Sequence, residues 1–200
     1  MSSIVIGSVN CRGLADSVKR CDIFTKCNDL YDVTILVDTH GIVENEKKWL
    51  HEWGYVAKFS SFSSNSREVA ILLKHSFEFK IHDEVKDTLV NYIILDISIQ
   101  DYRMTLAAVY EPNEDKPCFC ETLQSNFFIF PNSSVILVGD WNVVQDYNLD
   151  TINYRRKHNP NSKLKLHSLM NDLDLIGIWR EQHQNDRTFS WREPSKNKVA

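Results

Sequence analysis

Val135-Ile136-Leu137-Val138-Gly139-Asp140-Trp141-Asn142 is the stretch on which the fold turns. An apolar run of four residues meets a glycine, then a carboxylate and a carboxamide two positions apart. A short apolar run ending this way reads as a sheet-core strand. Side chains at i and i+2 of a strand point the same way, so Asp140 and Asn142 are expected side by side at a sheet mouth. Such a pair can position a water molecule and a phosphate together. A strand closed by an Asx-type turn is the plainer reading of the same eight residues.

Outward from this stretch, the pattern repeats. Ser3–Val9 reads as a strand ending at Asn10, and Val33–Val37 as a strand running into Asp38-Thr39-His40. Arg103–Val109 runs into Tyr110, with Asn113 close behind. Between these come helices expected over Ser17–Leu30, over Glu46–Trp53 with Gly54 as its stop, from Pro117 to Phe128, and from Ser162 to Leu173. The texture from Tyr55 to Val109 is β, with strands expected at Tyr55–Phe59, Glu68–Leu73, Phe77–Ile81 and Asn91–Ile99. Ile176–Trp179 and Thr188–Trp191 read as closing apolar segments, the first taken as a strand. The order β-α-β-α, several antiparallel strands, then β-α-β-α-β predicts an α/β fold: two mixed β-sheets packed as a sandwich with flanking helices. No internal repeat or low-complexity linker interrupts the chain, so a single domain over residues 1–200 is the simplest partition.

Composition bounds the function. The 200 residues are 42% hydrophobic and 25% charged, ordinary for a globular protein with one sizeable core. With 23 basic and 27 acidic residues, the net charge of −4 argues against a protein that coats nucleic acid non-specifically. It leaves room for a nuclease with a local basic surface and an acidic metal site. No stretch is long and apolar enough to span a membrane, and no secretion signal opens the chain, so an intracellular protein in nucleus or cytoplasm is expected. The Asn132-Ser133-Ser134 sequon should then go unglycosylated. Five cysteines without a C-x-x-C pair (Cys11, Cys21, Cys27, Cys118, Cys120) read as free thiols in a reducing compartment.

If the polar strand ends converge, one site holds Asp38 and Asp140, Asn10 and Asn142, Tyr110 and Arg67. Hard oxygen donors without Cys or paired His favour Mg²⁺, with Mn²⁺ as a substitute, held by one or two carboxylates plus water and substrate phosphate. Phosphodiester hydrolysis needs charge neutralised, a water oriented in line and the leaving oxygen stabilised, and this set can supply all three. Each residue has a plainer role too: a cap or turn for Asn10 and Asp38, a core aromatic for Tyr110, a solvated charge for Arg67.

Five segments in order then carry a resemblance: Ser8-Val9-Asn10-Cys11-Arg12-Gly13-Leu14, Leu36-Val37-Asp38-Thr39-His40, Ser66-Arg67-Glu68-Val69-Ala70-Ile71-Leu72, Val109-Tyr110-Glu111-Pro112-Asn113 and Gly139-Asp140-Trp141-Asn142. Together they resemble the endonuclease/exonuclease/phosphatase superfamily, specifically the endonuclease domain of LINE-type (non-LTR) retrotransposons. Trp179-Arg180, His183 and Thr188-Phe189-Ser190-Trp191 extend the likeness. The resemblance implies a DNase I-like fold and a Mg²⁺-dependent phosphodiesterase that nicks DNA. Asn10 and Asp38 take the metal side, Asp140 orients or activates the water, Tyr110 and Asn142 contact phosphate, and Arg67 and Asn113 are further phosphate or DNA contacts.

Two departures from the family shape expectations. Asp38 stands where the family has glutamate, which retracts the carboxylate and weakens metal binding. The family's terminal Asp-His pair has no counterpart before Ala200, so the last strands are expected to be lacking, with weakened or lost nicking. A monomer with some aggregation through an exposed sheet edge follows. The densest basic stretch, Arg155-Arg156-Lys157-His158 with Lys163 and Lys165, is expected to contact DNA backbone at Arg155 and Arg156. Two other functions stand beside the endonuclease: a phosphatase or phosphodiesterase of the same superfamily, and a non-catalytic degenerate fragment.

Overall fold

The computed structural model describes residues 3–61, 68–75, 78–89, 91–132, 134–152 and 159–189. These contain eight strands and five helices: β1 (Ile6–Asn10), α1 (Ser17–Leu30), β2 (Val33–Val37), α2 (Val43–Trp53), β3 (Val56–Ser60), β4 (Val69–Leu73), β5 (Phe79–Lys86), β6 (Tyr92–Ile99), β7 (Tyr102–Tyr110), α3 (Cys118–Phe127), β8 (Val135–Asp140), α4 (Pro160–Asp172) and α5 (Ile178–Gln182). The chain divides into two compact units, one of residues 1–112 and 126–141, the other of residues 113–125 and 142–200.

The first unit holds two four-stranded mixed sheets, ordered β1-β2-β4-β3 and β5-β6-β7-β8. Each joins one parallel pair (β1 with β2, β7 with β8) to antiparallel neighbours. Alternate residues of the strands fill the core between the sheets: Val33, Ile35 and Val37 of β2 and Val69, Ile71 and Leu73 of β4 meet Ile93, Leu95 and Ile97 of β6 and Leu106, Ala108 and Tyr110 of β7. Each fully buried aliphatic side chain contributes about 1.5–3 kcal/mol. The opposite face of the first sheet carries a second core in which Leu36, Ala70 and Leu72 meet Phe24 and Cys27 of α1 and Trp49 and Trp53 of α2. Being buried on both faces is why β4 is an uninterrupted apolar run and β2 carries only Thr34 among apolar residues.

Local chemistry sets the ends. Asp16 caps α1 by accepting the Lys19 backbone N–H at 2.8 Å. Gly54, left-handed at φ 80°, closes α2. That helix begins at Val43, three residues before the expected Glu46. Between them Arg20, buried at 2% exposure, binds Glu52 through Nε (2.6 Å) and Nη2 (2.9 Å) and donates to the Leu14 carbonyl. Strand β5 runs past the expected Ile81 to Lys86 through an irregularity between Ile81 and Asp83. Its far half is a polar edge, tied to β3 by the Lys58–Glu84 ion pair. All five cysteines are free.

In the second unit, α3 and α4 are linked by Lys165 to Glu121 and by Gln124 to Asp172. Ile176–Trp179, expected as a strand, instead opens into α5. The Gly177 carbonyl accepts the Glu181 N–H at 2.9 Å. Arg180 gathers the carbonyls of His183, Gln184 and Asp186, which follow α5. The Thr188–Trp191 segment leaves the described residues after Phe189, and Thr188 and Phe189 lie in no strand. Among the described residues no helix is long and apolar enough to cross a membrane.

Candidate active site

The first unit gathers polar groups where β1, β2, β7 and β8 end. β1 and β2 run parallel with Asn10 beside Val37, and β7 and β8 run parallel with Tyr110 beside Asp140. Val37 and Tyr110 both belong to the inter-sheet core, so Asn10 and Asp140 sit on the faces that look towards the opposite sheet. Asn10 Nδ2 donates to Asp140 Oδ2 at 3.1 Å, closing the sandwich mouth across 130 residues of sequence. The Asn10 Oδ1 accepts the Arg12 N–H at 3.2 Å, which orients the amide for that donation.

Backbone geometry holds the rim. Beyond β1 and β2 the pairing continues, with Cys11 N to Val37 O (2.8 Å), Gly13 N to Asp38 O (2.7 Å) and Leu14 N to Thr39 O (2.8 Å). These bonds fix Arg12, Asp38 and His40 in left-handed backbone, at φ 48°, 58° and 52°. Held non-glycine residues of this kind are concentrated at functional sites. On the other sheet Glu111 N donates to Asp140 O at 2.8 Å. Gly139 lies so close to β7 that a Cβ there would stand 1.8 Å from the Val109 carbonyl oxygen, so only glycine fits before the carboxylate.

Asp38 lies just past β2, where its carboxylate pairs with His40: Nε2 to Oδ1 is 2.8 Å. The hydrogen bonds of the described residues thus bring Asn10 to Asp140 and Asp38 to His40. In sequence His40 reads as a surface or hydrogen-bonded histidine rather than a catalytic one, and the bond to Asp38 is of the second kind. Tyr110 is 6% exposed, its ring inside the core and its N–H bonded to Asn91 O at 2.8 Å. Cys11, directly after Asn10, is buried, and burial with the nearby Cys27 pushes its thiol up to about 12, so it stays protonated and inert.

The second unit carries Asn113, exposed in the segment before α3, and Asn142, half-buried and left-handed at φ 47°. The segment after Asn142 is a built turn. Asp146 accepts the N–H groups of Asn148 and Leu149, and Thr151 Oγ1 donates to the Tyr147 carbonyl. Arg180 and Arg187 clamp it through Asp150 and the Thr151 carbonyl. In sequence Arg180 carries only part of the family likeness, and Arg187 has no assigned role. Arg67, Arg155 and Arg156 lie outside the described residues.

The donors expected to hold a cation have the chemistry that suits a hard ion. They are oxygens of Asp38 and Asn10, without thiolate, and among the described residues no group of three or more His, Cys, Asp or Glu forms a closed cage.

No family model matches the chain. Over 164 residues, 80% of its length, it is 26% identical to the "Transposon TX1 uncharacterized 149 kDa protein" of Xenopus laevis, of which it spans only 12%. Among solved structures it is similar to an AP endonuclease from Archaeoglobus fulgidus, with a TM-score of 0.71 at 15% identity, covering 98% of this chain and 85% of that one. It is also similar to the endonuclease domain of TRAS1, a telomere-specific non-LTR retrotransposon, with a TM-score of 0.62 at 12% identity and coverage of 98% and 84%. The fold, two mixed four-stranded sheets with helices, is the DNase I-like α/β fold of these solved structures. Within that fold the chain resembles the LINE-type endonuclease domains, a likeness that the transposon relative and the TRAS1 domain both bear out.

Proposed function

We propose that this chain is a Mg²⁺-dependent phosphodiesterase that nicks DNA, of the retrotransposon endonuclease type. The observation that carries the reading is the Asn10–Asp140 hydrogen bond, which joins a carboxamide and a carboxylate from two sheets at one mouth. A structural surface pair has no need of strand ends 130 residues apart, of a backbone approach that admits only Gly139, or of left-handed residues at the rim. The relatives named above, a transposon protein and two endonucleases, support the same reading.

In this mechanism Asp140, its Oδ2 held by Asn10, orients the attacking water and takes its proton. The Tyr110 phenol, on the strand position beside Asp140, meets the scissile phosphate. Asn142 and Asn113 donate amide hydrogens to phosphate oxygens. Asp38 and Asn10 would hold Mg²⁺, and the His40 bond keeps the Asp38 carboxylate from rotating. When bound, the cation supplies charge neutralisation at the phosphate and at the leaving oxygen. Arg155 and Arg156 contact the DNA backbone, where cations set affinity and its salt dependence.

Nicking of supercoiled plasmid tests the reading. Activity should require Mg²⁺, be restored by Mn²⁺ after chelation, and fall by at least about a thousandfold in Asp140→Ala. A non-catalytic reading draws on one observation, the engagement of Asp38 by His40. It predicts DNA binding with no metal-dependent cleavage, and that outcome would replace the enzyme.

A further inference from the structure

We infer that Asn159 is a positioning residue for Asn142, and so for the phosphate contact proposed for Asn142; the inference rests on the nuclease reading above. Asn159 stands at the N-cap of α4, where an Asn side chain ordinarily accepts an N–H from the first helical turn. Here it makes no such bond. Its Nδ2 reaches back 17 residues instead and donates to the Asn142 carbonyl at 3.0 Å.

Two features free the amide for that task. The capping work at α4 is done by Asp115, whose Oδ1 accepts the Ser162 N–H at 2.8 Å. Its Oδ2 takes the Asn161 Nδ2 at 2.8 Å and the Asn161 N–H at 3.3 Å. Asn159 itself is held in left-handed backbone, φ 50° and ψ 52°. Only 6% exposed, it makes its bond away from competing water.

Asn142 is also left-handed, at φ 47°, a conformation that must be maintained by its surroundings. The bond from Asn159 holds the peptide carbonyl of Asn142 and thereby the direction of its side-chain amide. The turn that follows is clamped separately by Arg180 and Arg187, so Asn159 governs the orientation of Asn142 rather than the existence of the turn.

The test separates backbone from amide. Asn159→Gly keeps left-handed backbone at no steric cost and deletes the donor. Asn159→Asp keeps a residue tolerant of that backbone and points an oxygen at the Asn142 carbonyl. For each, kcat and KM for plasmid nicking, the thermal midpoint, and the ¹⁵N shift of Val143, whose N–H shares the peptide with the Asn142 carbonyl, are measured. In Asn159→Gly, kcat should fall about tenfold with KM nearly unchanged, because misorientation costs most at the transition state. The thermal midpoint should fall only modestly, by the loss of one hydrogen bond in a chain that stays folded, and the Val143 signal should move. A wild-type kcat or an unmoved Val143 signal would overturn the assignment. Should Asn159→Gly lose its fold, Asn159→Asp is judged by the same two readouts. If the unmodified chain nicks no DNA, the nuclease reading fails separately, and the Val143 signal alone decides whether Asn159 holds Asn142.

Discussion

β2 and β8 look alike in sequence and differ in the fold. Val33–Val37 and Val135–Asp140 are both short, mostly apolar strands that lead to an acidic residue of the proposed site, Asp38 just past the first and Asp140 at the end of the second. β2 lies inside its sheet between β1 and β4, and all five of its residues are buried. β8, among the described residues, is the edge of its sheet with β7 on one side, and all six of its residues are only half-buried. Apolar composition therefore marks the strand, while the number of neighbours decides how much stability each side chain returns. The site spans both conditions, with Asp38 behind a rigid strand and Asp140 behind an edge that relies on Gly139 to lie close to β7.

The contrast is breakable by substitution. Ile35→Ala in β2 should have the largest effect, about 4 kcal/mol in urea unfolding, because a fully buried cavity cannot be filled by water or by shifts of its neighbours. Gly139→Ala should follow at about 3 kcal/mol, with nicking abolished, since its Cβ would force β8 from the Val109 carbonyl. A variant that stays folded, stable and active would show that the close approach does not set the site. Ile136→Ala, the β8 counterpart of Ile35→Ala, should cost only about 1–2 kcal/mol because solvent already reaches the strand. Equal losses for the two isoleucines would erase the distinction.

The smallest effect concerns pH and sharpens the comparison on the far side of β7. The Arg103 guanidinium, helped by Asn132, holds the buried Asp96 carboxyl down to about 2. A folded-state value below the unfolded one gives stability that is complete above pH 4 and drains away as pH falls from about 4 towards 2. Asp96→Asn should flatten that part of the stability profile, and an unaltered acid limb would dismiss the pair as a source of stability. The same Asn132 amide donates to Asp96 and Thr105, so the sequon asparagine is engaged within the fold.

Much of this architecture was legible because its patterns are local. The α1 and β2 boundaries coincide with the sequence reading, since one is a capped helix and the other an apolar run between polar residues. The two-sheet α/β class followed from element order. Legibility failed where a tertiary partner overrode the pattern. The second half of β5 is polar because it is an edge, and periodicity cannot distinguish that from a loop. Ile176–Trp179 was expected as a strand, yet its second half opens α5, with the Glu181 N–H bonded back to the Gly177 carbonyl. Arg20 gave no sign of burial, because Glu52, its partner, lies 32 residues away. At the site, the polar strand ends were readable one by one, while the pairing of Asn10 with Asp140, of His40 with Asp38 and of Asn159 with Asn142 depends on the folded backbone.

The central claim is that Asn10 and Asp140 act as one catalytic unit across the two sheets. A double-mutant cycle on Mg²⁺-dependent plasmid nicking, using Asn10→Ala, Asp140→Ala and the pair, measures this directly. The account predicts that Asn10→Ala costs clearly less in the Asp140→Ala background than in the unmodified chain, because only its cation-holding share is left to lose. Losses that multiply in the double variant, or an unmodified chain that does not nick, would contradict it.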